Sequence, residues 1–119
     1  MAELKHFKKE EFVCGQVNCF DKMDTELLFM LDEARIIADC PFKISSSWRS
    51  EEQNAKAGGK PNSSHLRGKA VDIVCTSSHH RLRILDGLLM AGFTRIGIAK
   101  TFIHADCDNT LPQDVLWLY

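Results

Sequence analysis

Apolar residues recur at helical spacing in two stretches of the chain and alternate or cluster in several shorter ones. From Asp24-Thr25 to about Ala38, the residues Leu27, Leu28, Leu31, Ala34 and Ile37 return on one face, which predicts a core helix. Asp24 or Thr25 supplies its cap, and Glu26 suits the first turn. Cys40-Pro41 ends it, because proline disfavours helical geometry in the residue before it. A second helix is predicted after the cap Thr76-Ser77-Ser78, running to about Met90. Leu82, Ile84, Leu85, Leu88 and Leu89 form its apolar face, and Gly92 is its stop.

The shorter apolar runs predict strands. Phe42 to Ser45 alternates, and Lys69 to Cys75 is an apolar run rich in β-branched residues. Arg95 to Ile98 and Thr101 to Cys107 follow, joined by a turn at Ala99-Lys100. Val115 to Tyr119 reads as a further strand, after a loop from Asp108 through Pro112. Glu51 to Ala57 has room for one or two helical turns. Gly58 to Ser64 is dense in turn formers and reads as a loop. Residues 6–22 show no sustained period, and Phe7, Phe12 and Phe20 are expected to pin that segment to the core. Few helices and several short strands with tight links predict an α+β fold, a mainly antiparallel sheet with helices packed on one face.

Composition narrows this picture modestly. The chain has 119 residues, 45% hydrophobic and 26% charged, which suits one modest core. A net charge of -1 argues against a protein whose partner is held by neutralising phosphates. No apolar run approaches the ~20 residues that span a bilayer. Met1 to Phe12 is charged and lacks the apolar core of a signal peptide, so synthesis in the cytoplasm is expected. The five cysteines, Cys14, Cys19, Cys40, Cys75 and Cys107, are unevenly spaced and make a poor disulfide framework. Cys14 and Cys19 could form half of a zinc site, but no second close pair completes it. Reduced, mostly buried thiols are the preferred reading.

The chemistry concentrates around Asp72. It sits between Val71 and Ile73 in an apolar strand, where an ionised carboxylate is costly unless a cation or strong donors meet it. His65 lies on the loop before that strand and can fold back toward it. From Thr101 to Asp108, period-two alternation puts Phe102, His104, Asp106 and, at its end, Asp108 on one face and Ile103, Ala105 and Cys107 on the other. Two imidazoles and one carboxylate form a three-ligand set suited to a catalytic zinc, with a fourth position left for water. Either histidine can instead be an ordinary packing or surface residue, with no metal at all. The loop Gly58 to Ser64 is not a phosphate cradle, because it lacks the Gly-Lys-Ser/Thr ending and a preceding strand.

These residues form a familiar series. Ser63-x-His65-x-x-Gly68-x-Ala70-x-Asp72 resembles the first zinc motif of the D-alanyl-D-alanine carboxypeptidase family of zinc peptidases. That family includes phage and bacterial L-alanyl-D-glutamate endopeptidases and shares its fold with the hedgehog signalling domain. Ser46-Ser47-Trp48-Arg49-Ser50, followed by Asn54, is similar to an upstream segment of the family's short members. Phe102-Ile103-His104-Ala105-Asp106 is similar to their late segment, and His6 through Cys14 resembles their opening. The resemblance implies one zinc peptidase-like domain over residues 1–119, with Zn2+ held by His65, Asp72 and His104. It implies that Arg49 contacts a substrate carbonyl or carboxylate, and that Ser63 supports the metal loop beside the substrate.

The implied substrate is a peptide of peptidoglycan, cut at a stem-peptide or cross-link amide bond, with no nucleic acid and no membrane segment involved. A chain without a signal peptide suits a phage or prophage enzyme that reaches the cell wall by another route. One departure from the family pattern matters. The catalytic acid commonly stands three residues before the last histidine, and Thr101 occupies that place here. Asp106 is the substitute in sequence, either as the base or as a partner that orients His104. The missing acid motivates an alternative, a non-catalytic zinc module of the same fold that binds a wall fragment or a protein.

Overall fold

The computed structural model describes residues 4–14 and 16–119, with Cys14 described by its backbone alone. Asp24 is the cap of the first helix, α1 (Thr25–Ala38), and its Oδ2 accepts the Leu27 amide at 3.1 Å. Ser50 caps the short α2 (Glu51–Lys56), and Ser77 caps α3 (Ser78–Met90). Each hydroxyl or carboxylate satisfies a backbone donor that the first helical turn leaves free.

Two very short strands, β1 (Val13–Cys14) and β2 (Val17–Asn18), form a hairpin before α1. The main sheet contains β3 (Ile44–Ser46), β4 (Ala70–Val74), β5 (Arg95–Ile98), β6 (Phe102–Asp106) and β7 (Val115–Leu118) in the order β3-β4-β6-β5-β7. The expected strands are therefore present, and most ends shift by a residue or two. The sheet itself is mixed, which corrects the expectation of a mainly antiparallel one. β7 runs parallel to β5, with Arg95 beside Val115 and Gly97 beside Trp117. The reason is topological. β6 is already flanked by β4 and β5, so the free edges are those of β3 and β5, and β7 takes the outer edge of β5. The chain arrives there beside Thr94, whose carbonyl accepts the Val115 amide, and can only run alongside β5.

One sheet face carries Val71, Ile73, Ile96, Ile103 and Ala105, all essentially fully buried. They join a core with Leu27, Leu31 and Ala34 of α1 and Ile84 and Leu88 of α3. α1 and α3 thus cover the same face with Leu27, Leu28, Leu31, Ala34, Ile84 and Leu88 of their predicted apolar stripes, whereas Ile37, Leu82 and Leu89, expected on those stripes, are exposed. Phe7, Phe12 and Phe20 are buried, so the aperiodic N-terminal segment is pinned to the core as expected. Cys19, Cys40, Cys75 and Cys107 are free thiols, two of them buried and two partly buried. The half-site considered for Cys14 with Cys19 lies outside the described side chains. No helix among the described residues is long and apolar enough to cross a membrane. The helices leave the opposite sheet face clear, and that face carries the polar cluster.

Candidate functional site

One cross-strand row organises the uncovered face. Ser46, Asp72, His104, Gly97 and Trp117 are register partners in turn across β3, β4, β6, β5 and β7. The costly carboxylate in an apolar strand is thereby explained locally. Alternation turns Asp72 away from the helices, toward His104 on the neighbouring strand.

His65 reaches the same point from the loop. Ser63 starts a short 3-10 turn, Ser64–Arg67, and its Oγ accepts the His65 amide at 3.3 Å. Gly68 ends the turn at φ +69. A Cβ at that position would meet the Lys22 carbonyl oxygen at 2.0 Å, so both the left-handed backbone and the close approach require glycine. Ser64 is itself buried and donates to Asp108 Oδ2 at 2.9 Å. Asp108, fully buried in the loop after β6, also pairs with Arg67. The turn carrying His65 is thus tied to the strand end that carries His104.

The two imidazoles are oriented from behind. His65 Nδ1 lies 2.7 Å from the Ser47 carbonyl, which can only accept, so Nδ1 carries the hydrogen and Nε2 presents a lone pair. His104 Nε2 donates to Asp106 Oδ2 at 2.7 Å, leaving Nδ1 to face Asp72 Oδ1 at 3.0 Å. His65 Nε2 lies 3.4 Å from that same oxygen. One ligand atom from each of His65, Asp72 and His104 lies within 4.8 Å of the others, and all three residues are buried. With both outer nitrogens committed as donors, three electron-pair donors converge on one point. A shared proton or a metal cation resolves that convergence, and two imidazole nitrogens with one carboxylate suit zinc.

The electrostatics agree with that geometry. Burial opposes the charge on Asp72, but hydrogen bonds and charge from His104 and His65 outweigh it and hold the carboxyl well below its usual range. Burial also works against a charged His104, and its contacts with Asp106 and Asp72 outweigh burial and strengthen its hold on a proton. The cluster therefore keeps its acid ionised and attracts positive charge.

The other expected site residues fall around this point. Arg49 donates Nε to Ser46 Oγ at 3.0 Å and Nη2 to Asp72 Oδ2 at 3.4 Å, and its Nη1 reaches buried Asn54 at 3.5 Å. It lines the cleft with His65, Asp72 and His104. Ser63 also lines the cleft, with its hydroxyl engaged by the His65 amide. Asp106 is 1% exposed and accepts Arg95 Nε at 2.7 Å as well as His104. Thr101, in the place of the usual acid, is exposed at the β5–β6 turn.

Arg95 and the Ser47 carbonyl were not foreseen as parts of the site, and Asp108 was placed on its face without a role. Trp117 was read only as strand. Its presence on this face was legible in the alternation Val115, Trp117, Tyr119, whereas its neighbourhood to His104 depends on the pairing of β7 with β5. No curated protein matches the chain. A family model described as Peptidase M15 matches residues 5–106, a span that holds Arg49, Ser63, His65, Asp72, His104 and Asp106. The chain belongs to the Peptidase M15 family.

Proposed function

We propose that this protein is a zinc-dependent peptidase that hydrolyses an amide bond in the stem peptides or cross-links of peptidoglycan. The observation that carries the reading is the convergence of His65 Nε2, Asp72 Oδ1 and His104 Nδ1, each backed by a partner that fixes its orientation. These residues would hold Zn2+. The bound ion supplies a Lewis acid for the scissile carbonyl and an ionisable water near neutral pH.

The protein's own groups do the rest. Ser47 and Asp106 keep the two imidazole hydrogens turned outward. Arg49, held by Ser46 and Asp72, offers a fixed positive charge at the cleft to a substrate carbonyl or carboxylate. Ser63 steadies the turn that brings in His65. Membership of a peptidase family supports a peptide substrate. The likeness of the Ser63–Asp72 and Phe102–Asp106 segments to D-alanyl-D-alanine carboxypeptidases supports peptidoglycan and a hedgehog/DD-peptidase-like fold. The same likeness supports action at a cell wall, and the phage endopeptidases in that family make a phage or prophage route the reading we favour.

One observation favours the second reading, a non-catalytic zinc module. The two described carboxylates that line the cleft, Asp72 and Asp106, are both held by basic partners, and Thr101 cannot act as a base. Digestion of purified peptidoglycan, followed by mass spectrometry of released peptides, separates the two. Zinc-loaded protein is expected to release peptides, and His65→Ala is expected to release none. No release from fully zinc-loaded protein overturns the enzyme reading in favour of the binding module.

A further inference from the structure

β7 lies beyond the family match, which ends at Asp106. Yet it brings an aromatic ring against one of the three converging residues. Across β6, β5 and β7 the register row reads His104, Gly97, Trp117. Members of one row project from the same sheet face, so an ordinary side chain in the middle would stand between the imidazole and the indole. Gly97 has none. A Cβ there would meet Trp117 Nε1 at 2.5 Å and Cε2 at 2.6 Å. The indole instead lies over the β5 backbone, and its centroid comes within 5.4 Å of the His104 ring at an interplanar angle of 47°.

The indole is itself held. The Arg95 guanidinium carbon lies 5.2 Å from the Trp117 ring centroid, an arrangement in which a cation is attracted to an aromatic face. The same guanidinium donates Nε to Asp106 Oδ1 at 2.7 Å, and Asp106 Oδ2 receives His104 Nε2 at 2.7 Å. Trp117, Arg95, Asp106 and His104 therefore close a ring of contacts around one imidazole. Asp106 restrains the Nε2 end of that imidazole through a hydrogen bond. The indole limits its rotation by occupying the space beside it.

We propose that Trp117 is a positioning residue that holds the His104 ring in the orientation that aims Nδ1 at the metal, with Gly97 as the gap that lets it do so. The inference rests on the zinc reading given above. The test pairs zinc affinity, from competition with a chelating dye, with the ring-proton NMR resonances of His104 in metal-free protein. Trp117→Ala is expected to weaken zinc binding about 10–100-fold, the usual effect of losing a partner that orients a ligand. Trp117→Phe is expected to restore most of that affinity. Gly97→Ala displaces the indole without removing it and is expected to act like Trp117→Ala. In both Trp117→Ala and Gly97→Ala, the His104 resonances are expected to move while those of His65 stay. Unchanged zinc affinity and unchanged His104 resonances in folded Trp117→Ala and Gly97→Ala overturn the proposal. Should Trp117→Ala fail to fold, Gly97→Ala and Trp117→Phe decide the question. If the unaltered protein binds no zinc, the metal reading fails, and the His104 resonances still report whether the indole holds the ring.

Discussion

Asp106 is sealed from solvent, and each of its oxygens already faces a strong donor, Arg95 on one side and His104 on the other. A proton shuttle has to meet the attacking water and then the leaving amine. A carboxylate behind the imidazole, bonded to the nitrogen that faces away from Asp72, is better placed to orient the ring. Asp106→Asn keeps the shape and removes the charge. It is expected to lower zinc affinity about 10–100-fold and to leave turnover at saturating zinc largely intact. Zinc titration alongside turnover decides between the roles, since retained affinity with lost turnover would make Asp106 the base. Alternation in the sequence already put His104 and Asp106 on one face. Arg95 could not be found that way. Its position opposite Asp106 is a matter of which strand pairs with β6, and neither strand's own pattern records that.

Among the elements, the 3-10 turn bearing His65 and the loop after β6 behave as one strap. Asp108 joins them through Ser64 and Arg67, and it also receives the Thr110 hydroxyl at 2.6 Å. Burial would raise its pKa, but the hydrogen bonds from Arg67, Thr110 and Ser64 outweigh burial and hold the carboxyl well below the ordinary range. A carboxyl depressed in the folded state contributes stability above its unfolded value, about 3.9, and that contribution is lost as the pH falls through the depressed folded value. Denaturant unfolding of the unaltered protein and of Asp108→Asn should therefore differ most near neutral pH and converge in acid, below about pH 4. A constant gap across that range would remove Asp108 from this role. Alternation put Asp108 on the face of His104, and Asp108-Asn109 opened a loop, but the sequence showed no partner for it. Turn formers mark where a chain bends, but they do not say which distant hydroxyl the bend will meet. The same gap hid the direction of β7, since its alternation is identical whether it runs with or against its neighbour.

Across the whole molecule, the two sheet faces divide the work. The face under α1 and α3 holds the core, and most of its residues were readable from helical and strand periodicity, which also drew in the exposed Ile37, Leu82 and Leu89 at the helix margins. The opposite face gathers groups from β3, β4, β6 and the turn before β4, so a cation held there would tie separate parts of the chain together. A ligand that binds the folded state alone stabilises it by mass action, about 2.7 kcal/mol at a hundredfold excess over its dissociation constant. Added zinc is accordingly expected to raise the thermal midpoint, EDTA to reverse the rise, and His104→Ala to abolish it. A midpoint indifferent to zinc would remove the metal from the folded state.

The row from Ser46 to Trp117 crosses all five strands of the main sheet, and its outermost member arrives on the strand that joins by the parallel route. Only the β5–β6 pair in that row is a hairpin; Asp72 meets His104, and Trp117 meets Gly97, across longer stretches of chain. Contacts so distant in sequence form slowly compared with a hairpin. The row is therefore complete only once strands from both sides have docked on that hairpin.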